Sequence, residues 1–193
     1  VINTGAIGVW NMLHAPRMSR RELEESISFT LPEGSLLVTY HPATLDPENP
    51  AVRCRALLDA LDRFPDSHVL ITYPNNDARG RIIIDMIEEY ARLNPSRVRV
   101  IPSLGRTRYI SALTCVSAVV GNSSSGIVEV PSMGIPTVDV GIRQRGRLTT
   151  AATRPTRLPP PYPQPSLPRV RRPRAHRPTP TPRQTPSPSW PRR

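Results

Sequence analysis

Lysine is absent from this chain of 193 residues, because all 26 basic side chains are arginines. Cysteine occurs only twice, as Cys54 and Cys115 in apolar helical surroundings, so a disulfide framework is excluded and we expect both thiols to be buried and reduced. Long apolar runs and a signal peptide are also lacking. These absences predict a cytoplasmic protein that does not enter a membrane.

Acidic residues are missing from one end of the chain, since all 15 lie at or before Asp139. Residues 1–150 hold 16 arginines, whereas residues 151–193 hold ten arginines, no acid and 14 of the 25 prolines. A segment of that composition buries too little apolar surface to offset the entropy lost on ordering. We therefore predict a folded domain over residues 1–148 and a disordered Pro/Arg-rich tail over residues 149–193.

The basic tail has two interpretations. It is either an arm that contacts nucleic acid or another acidic surface, or the product of a shifted reading frame near Thr149. The abrupt change in composition and the lack of a recognisable motif favour the second interpretation. The nearly neutral domain gives no sign of a nucleic-acid partner, so any such binding would depend on the tail alone.

Short β-branched runs alternate with helical patterns along residues 36–140. The runs predict strands at 36–40, 69–73, 98–101, 118–121 and 137–140. The patterns between them predict helices at 49–64, 79–93 and 107–115, and one capped by Ser124 or Ser125 that runs to about Met133. This alternation predicts an α/β fold, a Rossmann-like parallel sheet with helices on both faces. Ligands of such sheets bind beyond the carboxyl ends of the strands.

One polar loop, Gly121-Asn122-Ser123-Ser124-Ser125-Gly126, follows a predicted strand and opens a helix. We call it the serine turn. Its hydroxyl groups and backbone N–H groups suit a phosphate or diphosphate, although an ordinary helix-capping turn explains the same residues. Glu129, further along that helix, is a candidate for the ribose hydroxyls or a simple partner of the helix dipole.

The loops after the other strands add further candidates. His41 directly follows the first strand and precedes a proline, so its imidazole is held at the end of the strand, where it can assist a leaving phosphate or move a proton. A single histidine is, however, more often structural or simply exposed. Asn75 and Asp77 follow the second strand in a turn that turn chemistry alone also explains. Arg143, Arg145 and Arg147 follow the fifth strand, and one of them can pair with phosphate oxygens, although a solvated basic loop is the commoner explanation for any single arginine.

Four of these loops occur in an order that resembles a known family. They are Tyr40-His41-Pro42-Ala43-Thr44, Tyr73-Pro74-Asn75-Asn76-Asp77, the serine turn continued through Ile127-Val128-Glu129, and Gly141-Ile142-Arg143-Gln144-Arg145-Gly146-Arg147. Together they resemble the hydrolysing UDP-N-acetylglucosamine 2-epimerases of sialic-acid and related nonulosonate pathways. The non-hydrolysing branch usually carries a His-Arg-Arg-Glu run and a Ser-Gly-Gly turn, which this chain lacks. The resemblance covers residues 1–148 and implies the carboxyl-terminal, UDP-binding half of a two-domain GT-B-type fold.

The resemblance also implies roles for single residues. Ser123 and Ser124 would hold the diphosphate, Glu129 the ribose, and Arg143 the nucleotide or its phosphates. Asn75 would lie near the uridine or the diphosphate, and His41 would be the catalytic residue that assists the departure of UDP. No cofactor and no metal are implied.

The reaction implied is elimination of UDP from UDP-N-acetylglucosamine followed by addition of water, which gives N-acetylmannosamine. The carboxylates that move the proton in this family lie mostly in the amino-terminal domain, so we expect this chain alone to bind UDP weakly and not to turn over. Intact members of the family are expected to form homo-oligomers. The alternatives are a GT-B glycosyltransferase and a non-catalytic module that binds UDP-sugars.

Overall fold

The structure, a computed structural model, describes residues 7–43, 46–75 and 79–156. The chain divides into two units, Val1–Tyr162 and Pro163–Arg193, and every described residue belongs to the first unit. The predicted disordered tail therefore lies outside the described residues from position 157 onward, as do Thr44 and the turn residues Asn76 and Asp77.

Within the described residues, six parallel strands form one sheet in the order β3-β2-β1-β4-β5-β6. The strands are β1 Leu36–Thr39, β2 Val69–Thr72, β3 Val98–Ile101, β4 Ala118–Gly121, β5 Thr137–Val140 and β6 Thr153–Thr156. The five strands predicted from sequence are confirmed, with β1 and β2 each ending one residue earlier. The predicted α/β class with a parallel sheet is therefore also confirmed.

Helices cover both faces of the sheet. They are α1 Ile7–His14, α2 Arg20–Ile27, α3 Pro50–Leu61, α4 Gly80–Leu93, α5 Gly105–Leu113 and α6 Ser125–Val128, followed by a 3₁₀ turn at Val130–Met133. One apolar core contains residues of α1, α2 and α5 packed on Leu37 and Leu70. The other contains residues of α3 and α4 packed on Val38 and Ile71. Successive strand residues thus face opposite cores, as the period of two in a pleated strand requires.

Two helices near the start of the described chain were not predicted. A local signal for α2 is present, because Ser19 accepts a hydrogen bond from the backbone N–H of Glu22 while the Glu22 carboxylate accepts one from the backbone N–H of Ser19. This reciprocal capping box is readable as Ser-x-x-Glu. Within the described residues, no helix is both long and apolar enough to cross a membrane.

The sheet continues past the domain boundary predicted at residue 148. Strand β6 pairs with β5 in parallel register, Thr137 opposite Thr153 and Val140 opposite Thr156. Its Thr-Arg-Pro-Thr sequence does not resemble a strand, because proline lacks a backbone donor. Proline is tolerated at a sheet edge, and among the described strands β6 pairs with β5 alone. Residues 149–156 therefore belong with the folded unit rather than with the tail.

The helix predicted to run from the serine turn to Met133 is broken. Helix α6 ends at Val128, and the 3₁₀ turn with Pro131 near its start replaces the continuation. A proline removes a donor and clashes with the preceding turn of an α-helix, which explains the break. Four residues carry only a small macrodipole, so the backbone N–H groups of the serine turn matter more for an anion than the helix behind them.

Candidate functional site

The serine turn lies at the point where the strand order of the sheet reverses. Strand β1 is bonded to β2 on one side and to β4 on the other. The chain leaves β1 towards one edge of the sheet and later returns to build β4, β5 and β6 towards the opposite edge. Loops after β1 and β4 therefore flank a crevice, the place where open α/β sheets bind ligands.

A cleft of about 350 Å³ opens in this crevice. We call it the serine cleft. It is lined by Thr39, His41, Thr72, Tyr73, Pro74, Asn75, Pro102, Ser103, Leu104, Gly105, Tyr109, Ser123 and Ser125. The loops after β1, β2, β3 and β4 all contribute, whereas the loop after β5 lines a different cleft. Ser124 is exposed and is not among these residues.

His41 is held from two sides. Its backbone N–H donates to the Asn122 side chain at 2.7 Å, and its Nδ1 accepts a hydrogen bond from the Asn75 backbone N–H at 2.9 Å. A neutral imidazole whose Nδ1 accepts a hydrogen bond carries its proton on Nε2. His41 is only 5% exposed and lines the serine cleft, so the ring is oriented there as a hydrogen-bond donor.

Arg143 differs from the two arginines that follow it. Its Nη1 donates to the carbonyl oxygen of Asn122 at 3.1 Å, which brings the loop after β5 to the serine turn. Arg145 and Arg147 are exposed and line a separate cleft of about 340 Å³ together with Asp139 and Gln144, which we call the arginine cleft. The structure thus singles out Arg143 as the cation tied to the serine turn.

Glu129 faces another cleft, of about 360 Å³, which we call the glutamate cleft. It is lined by Gly8, Asn11, Met12, Gly105, Arg106, Tyr109, Ile110 and Glu129. A Cβ atom placed on Gly8 would lie 2.6 Å from Glu129 Oε1. The first turn of α1 therefore packs directly against the carboxylate, and Glu129 lies near the end of α6 rather than in its first turn.

Tyr109 borders both the serine cleft and the glutamate cleft. Its hydroxyl and the Ser125 hydroxyl share a hydrogen bond of 2.7 Å. Burial raises the pKa of the Tyr109 phenol, the Ser125 hydrogen bond lowers it and the Glu129 charge raises it. The phenol stays protonated at neutral pH, so it can support the serine turn from within the wall between the two clefts.

Sequence reasoning assigned no role to Asn122, Gln144 or Tyr109. All three contact predicted site residues or their loops, as Gln144 Nε2 donates to the Asn122 carbonyl oxygen at 2.6 Å. Nothing in the sequence shows that these side chains turn inward, since asparagine, glutamine and tyrosine are also common in exposed loops. In the described part of the chain, no three His, Cys, Asp or Glu side chains cluster as a metal site would require.

Comparison with known proteins gives one family match and several relatives. The model of the family described as UDP-N-acetylglucosamine 2-epimerase matches residues 1–156. The chain is 31% identical over 150 residues to a GDP/UDP-N,N'-diacetylbacillosamine 2-epimerase (hydrolyzing) of Campylobacter jejuni, which covers 78% of this chain and 39% of that protein. It is 32% identical over 157 residues to the polysialic acid biosynthesis protein P7 of Escherichia coli, covering 79% and 38%.

The chain thus spans about two-fifths of the length of these curated relatives. Among solved structures, a Staphylococcus aureus MnaA–UDP co-structure matches with a TM-score of 0.49 and 15% identity, over 70% of this chain and 35% of that one. A Neisseria meningitidis UDP-GlcNAc 2-epimerase bound to UDP-GlcNAc matches with a TM-score of 0.45 and 16% identity, over 62% and 30%.

Proposed function

The chain belongs to the UDP-N-acetylglucosamine 2-epimerase family, and we propose that it is the UDP-binding part of a hydrolysing 2-epimerase. The proposed substrate is UDP-N-acetylglucosamine or a ring-modified relative of it. The reaction releases UDP by elimination and adds water to the sugar, giving N-acetylmannosamine or its modified counterpart for sialic-acid or related nonulosonate synthesis. The observation that carries the proposal is the junction of His41, the serine turn and Arg143 at one edge of the sheet.

The diphosphate is proposed to bind at the serine turn. Ser123 lines the serine cleft, and the exposed Ser124 immediately precedes α6. Their hydroxyl groups are the proposed donors of the turn, because the backbone N–H groups of Ser125 and Gly126 donate to Ser123 Oγ and to the Ser123 carbonyl oxygen. Arg143 adds a guanidinium group tied to the same turn, and guanidinium matches the geometry of phosphate oxygens. Hydroxyl and guanidinium donors together can bind a diphosphate without a lysine.

His41 is proposed to assist the departure of UDP as a hydrogen-bond donor. Charge develops on the leaving phosphate oxygen during elimination, so a donor placed in advance stabilises the transition state. The bond from the Asn75 N–H to Nδ1 favours the Nε2–H form of the ring, which is the donating form. Removal of the C2 proton requires a base, and the described lining of the serine cleft contains no carboxylate.

The nucleoside is proposed to extend into the glutamate cleft. Ser123 lies in the serine cleft and Glu129 in the glutamate cleft, and Tyr109 and Gly105 border both. A ligand whose diphosphate contacts Ser123 and whose ribose hydroxyls contact Glu129 must pass alongside Tyr109. Asn75, on the other side of the serine cleft, is then proposed to lie near the diphosphate.

The proposal includes a cellular compartment and an oligomeric state for the protein. Cys54 and Cys115 are both free and buried, which fits a reducing compartment such as the cytoplasm. The complete protein is proposed to be a homo-oligomer, by analogy with its family. The chain alone is proposed to bind UDP without turnover, because the proton-transferring carboxylates are expected elsewhere in the complete enzyme.

Calorimetric titration of the 193-residue chain with UDP at physiological salt tests the proposed site. We expect saturable binding that Ser123→Ala/Ser124→Ala weakens at least about tenfold, equivalent to about 1.4 kcal/mol. The matched control is Ser132→Ala, which removes an exposed hydroxyl outside all three clefts and is expected to bind like the unmodified chain. Absence of binding by the folded chain, or equal binding by the double variant, would contradict the proposal.

A further inference from the structure

Both polar atoms of the Asn122 side chain bond to one neighbouring residue, His41. Its Oδ1 accepts the backbone N–H of His41 at 2.7 Å, and its Nδ2 donates to the His41 carbonyl oxygen at 2.8 Å. The residue is 1% exposed. Strands β1 and β4 pair only as far as Thr39 and Gly121, so the amide continues the ladder by imitating a peptide group. Asparagine suits this place because it offers both a donor and an acceptor.

The backbone of Asn122 faces the loop after β5. Its carbonyl oxygen accepts from Arg143 Nη1 at 3.1 Å and from Gln144 Nε2 at 2.6 Å. Gln144 is itself only 3% exposed, so this contact is shielded from water. A single residue therefore joins the loop that carries His41 to the loop that carries Arg143.

The position of the His41 ring follows from these bonds. Its backbone is fixed by Asn122 on both its N–H and its C=O, and its ring nitrogen Nδ1 is fixed by the Asn75 N–H. Side chains act at a developing charge only when they are held close to their productive geometry. A shift of the His41 backbone would move the ring relative to both the serine turn and Arg143.

We infer that Asn122 is a positioning residue that holds His41 and Arg143 in a fixed relation for stabilisation of the departing diphosphate. The part of this inference that concerns the departing diphosphate rests on the proposed function. The positioning of the His41 ring by Asn122 does not, and it can be measured without ligand. Asn122 touches no ligand in this scheme, because its side-chain amide faces His41 and the residue is only 1% exposed. Substitution of Asn122 therefore affects UDP binding only through the positions of His41 and Arg143.

The test uses Asn122→Leu, a neutral change of similar shape that removes both bonds to His41 without adding charge. The readouts, taken on the full 193-residue chain, are the ¹⁵N resonances of the His41 imidazole and the affinity for UDP. The matched control is Asn94→Leu, which removes an amide bonded to the Tyr90 carbonyl oxygen at the end of α4. Both variants lose a buried or half-buried amide, so general destabilisation alone would affect them alike.

We expect Asn122→Leu to shift the His41 resonances and to weaken UDP binding at least about tenfold, while Asn94→Leu changes neither. A folded Asn122→Leu variant with unchanged resonances and affinity would overturn the inference. If this variant does not fold, Asn122→Ala, a smaller side chain that also removes both amide bonds to His41, is judged by the same two readouts with the same outcomes. If the unmodified chain does not bind UDP, the proposed function fails, and the His41 resonances alone decide whether Asn122 positions that ring.

Discussion

At the scale of single residues, the site depends on side chains whose partners are backbone groups. His41 is fixed by the backbone N–H of Asn75 and by the Asn122 amide, and Arg143 is fixed by a carbonyl oxygen. Backbone partners do not change with the identity of the neighbouring side chain. Asn122 is the exception, since its side chain rather than its backbone bonds to His41.

Asp139 provides a residue-scale prediction about pH. Burial raises the pKa of its carboxyl above the usual value near 3.8, and the residue is 7% exposed. The folded protein therefore holds this proton more tightly than the unfolded chain does. Ionisation of Asp139 therefore lowers the free energy of unfolding. This loss is absent at pH values below the pKa of Asp139 in the unfolded chain, and it reaches its full size above the pKa in the folded protein.

Asp139→Asn removes that ionisation and should stabilise the fold more as the pH rises from about 4.5 to 7.5. Urea unfolding of both proteins at several pH values measures the difference. As a control, Asp85→Asn removes an exposed carboxylate paired with Arg81 and is expected to produce a small change in the unfolding free energy, within about 0.5 kcal/mol. If the change in unfolding free energy caused by Asp139→Asn did not vary with pH, ionisation of the buried carboxyl would not be its cause.

The residues of the site were predictable to different degrees. His41, Ser123 and Arg143 follow strands in a sequence that alternates strand and helix, and the geometry of parallel sheets then places them at one edge. The separation of Ser123 from Glu129 into neighbouring clefts was not predictable, because it depends on where Tyr109 and α1 pack. The role of Asn122 was equally hidden, since the sequence does not show which amides point towards backbone.

At the scale of elements, the join between β1 and β4 determines the shape of the crevice. Gly121 ends β4 with φ of 143°, and a Cβ atom at this position would lie 1.9 Å from the Thr39 carbonyl oxygen. The backbones of the two strands therefore approach too closely for any side chain. The serine turn begins immediately after this contact.

Gly121→Ala should destabilise the fold by at least about 3 kcal/mol, because backbone atoms cannot move aside as a flexible side chain can. The matched control is Gly134→Ala, at φ of 74° with open space around the added methyl group. It is expected to cost only about 1–2 kcal/mol through the left-handed backbone conformation. Urea unfolding measures the loss of unfolding free energy in each variant. Equal losses would show that the close contact with the Thr39 carbonyl oxygen does not add to the cost of a side chain at position 121.

The elements themselves were predicted unevenly. Strands β3, β4 and β5 match the sequence expectation because each is a short segment rich in valine, isoleucine or threonine that follows a helical pattern. Helix α2 was missed although its capping box is visible in the sequence. Strand β6 could not have been predicted from Thr-Arg-Pro-Thr, because it forms by pairing with the open edge of β5 rather than by burying its own side chains.

At the scale of the whole molecule, the net charge and the strands are unevenly distributed along the chain. The nearly neutral residues 1–150 contain five of the six strands described and all of the proposed UDP ligands, whereas the ten arginines after residue 150 have no acidic counterpart. UDP is an anion, so the tail offers a competing, non-specific source of attraction. UDP binding measured on the whole chain therefore does not show which residues bind the nucleotide.

The most direct measurement is therefore a titration of the ¹⁵N-labelled full chain with UDP, followed amide by amide in ¹H–¹⁵N NMR spectra. We expect saturable shifts at His41, Asn75, Ser123, Ser124, Glu129 and Arg143, with residues of the arginine cleft and the tail largely unchanged. Shifts confined to residues after 150 or to the arginine cleft, or no shifts at all in a folded chain, would contradict a UDP site at the serine turn.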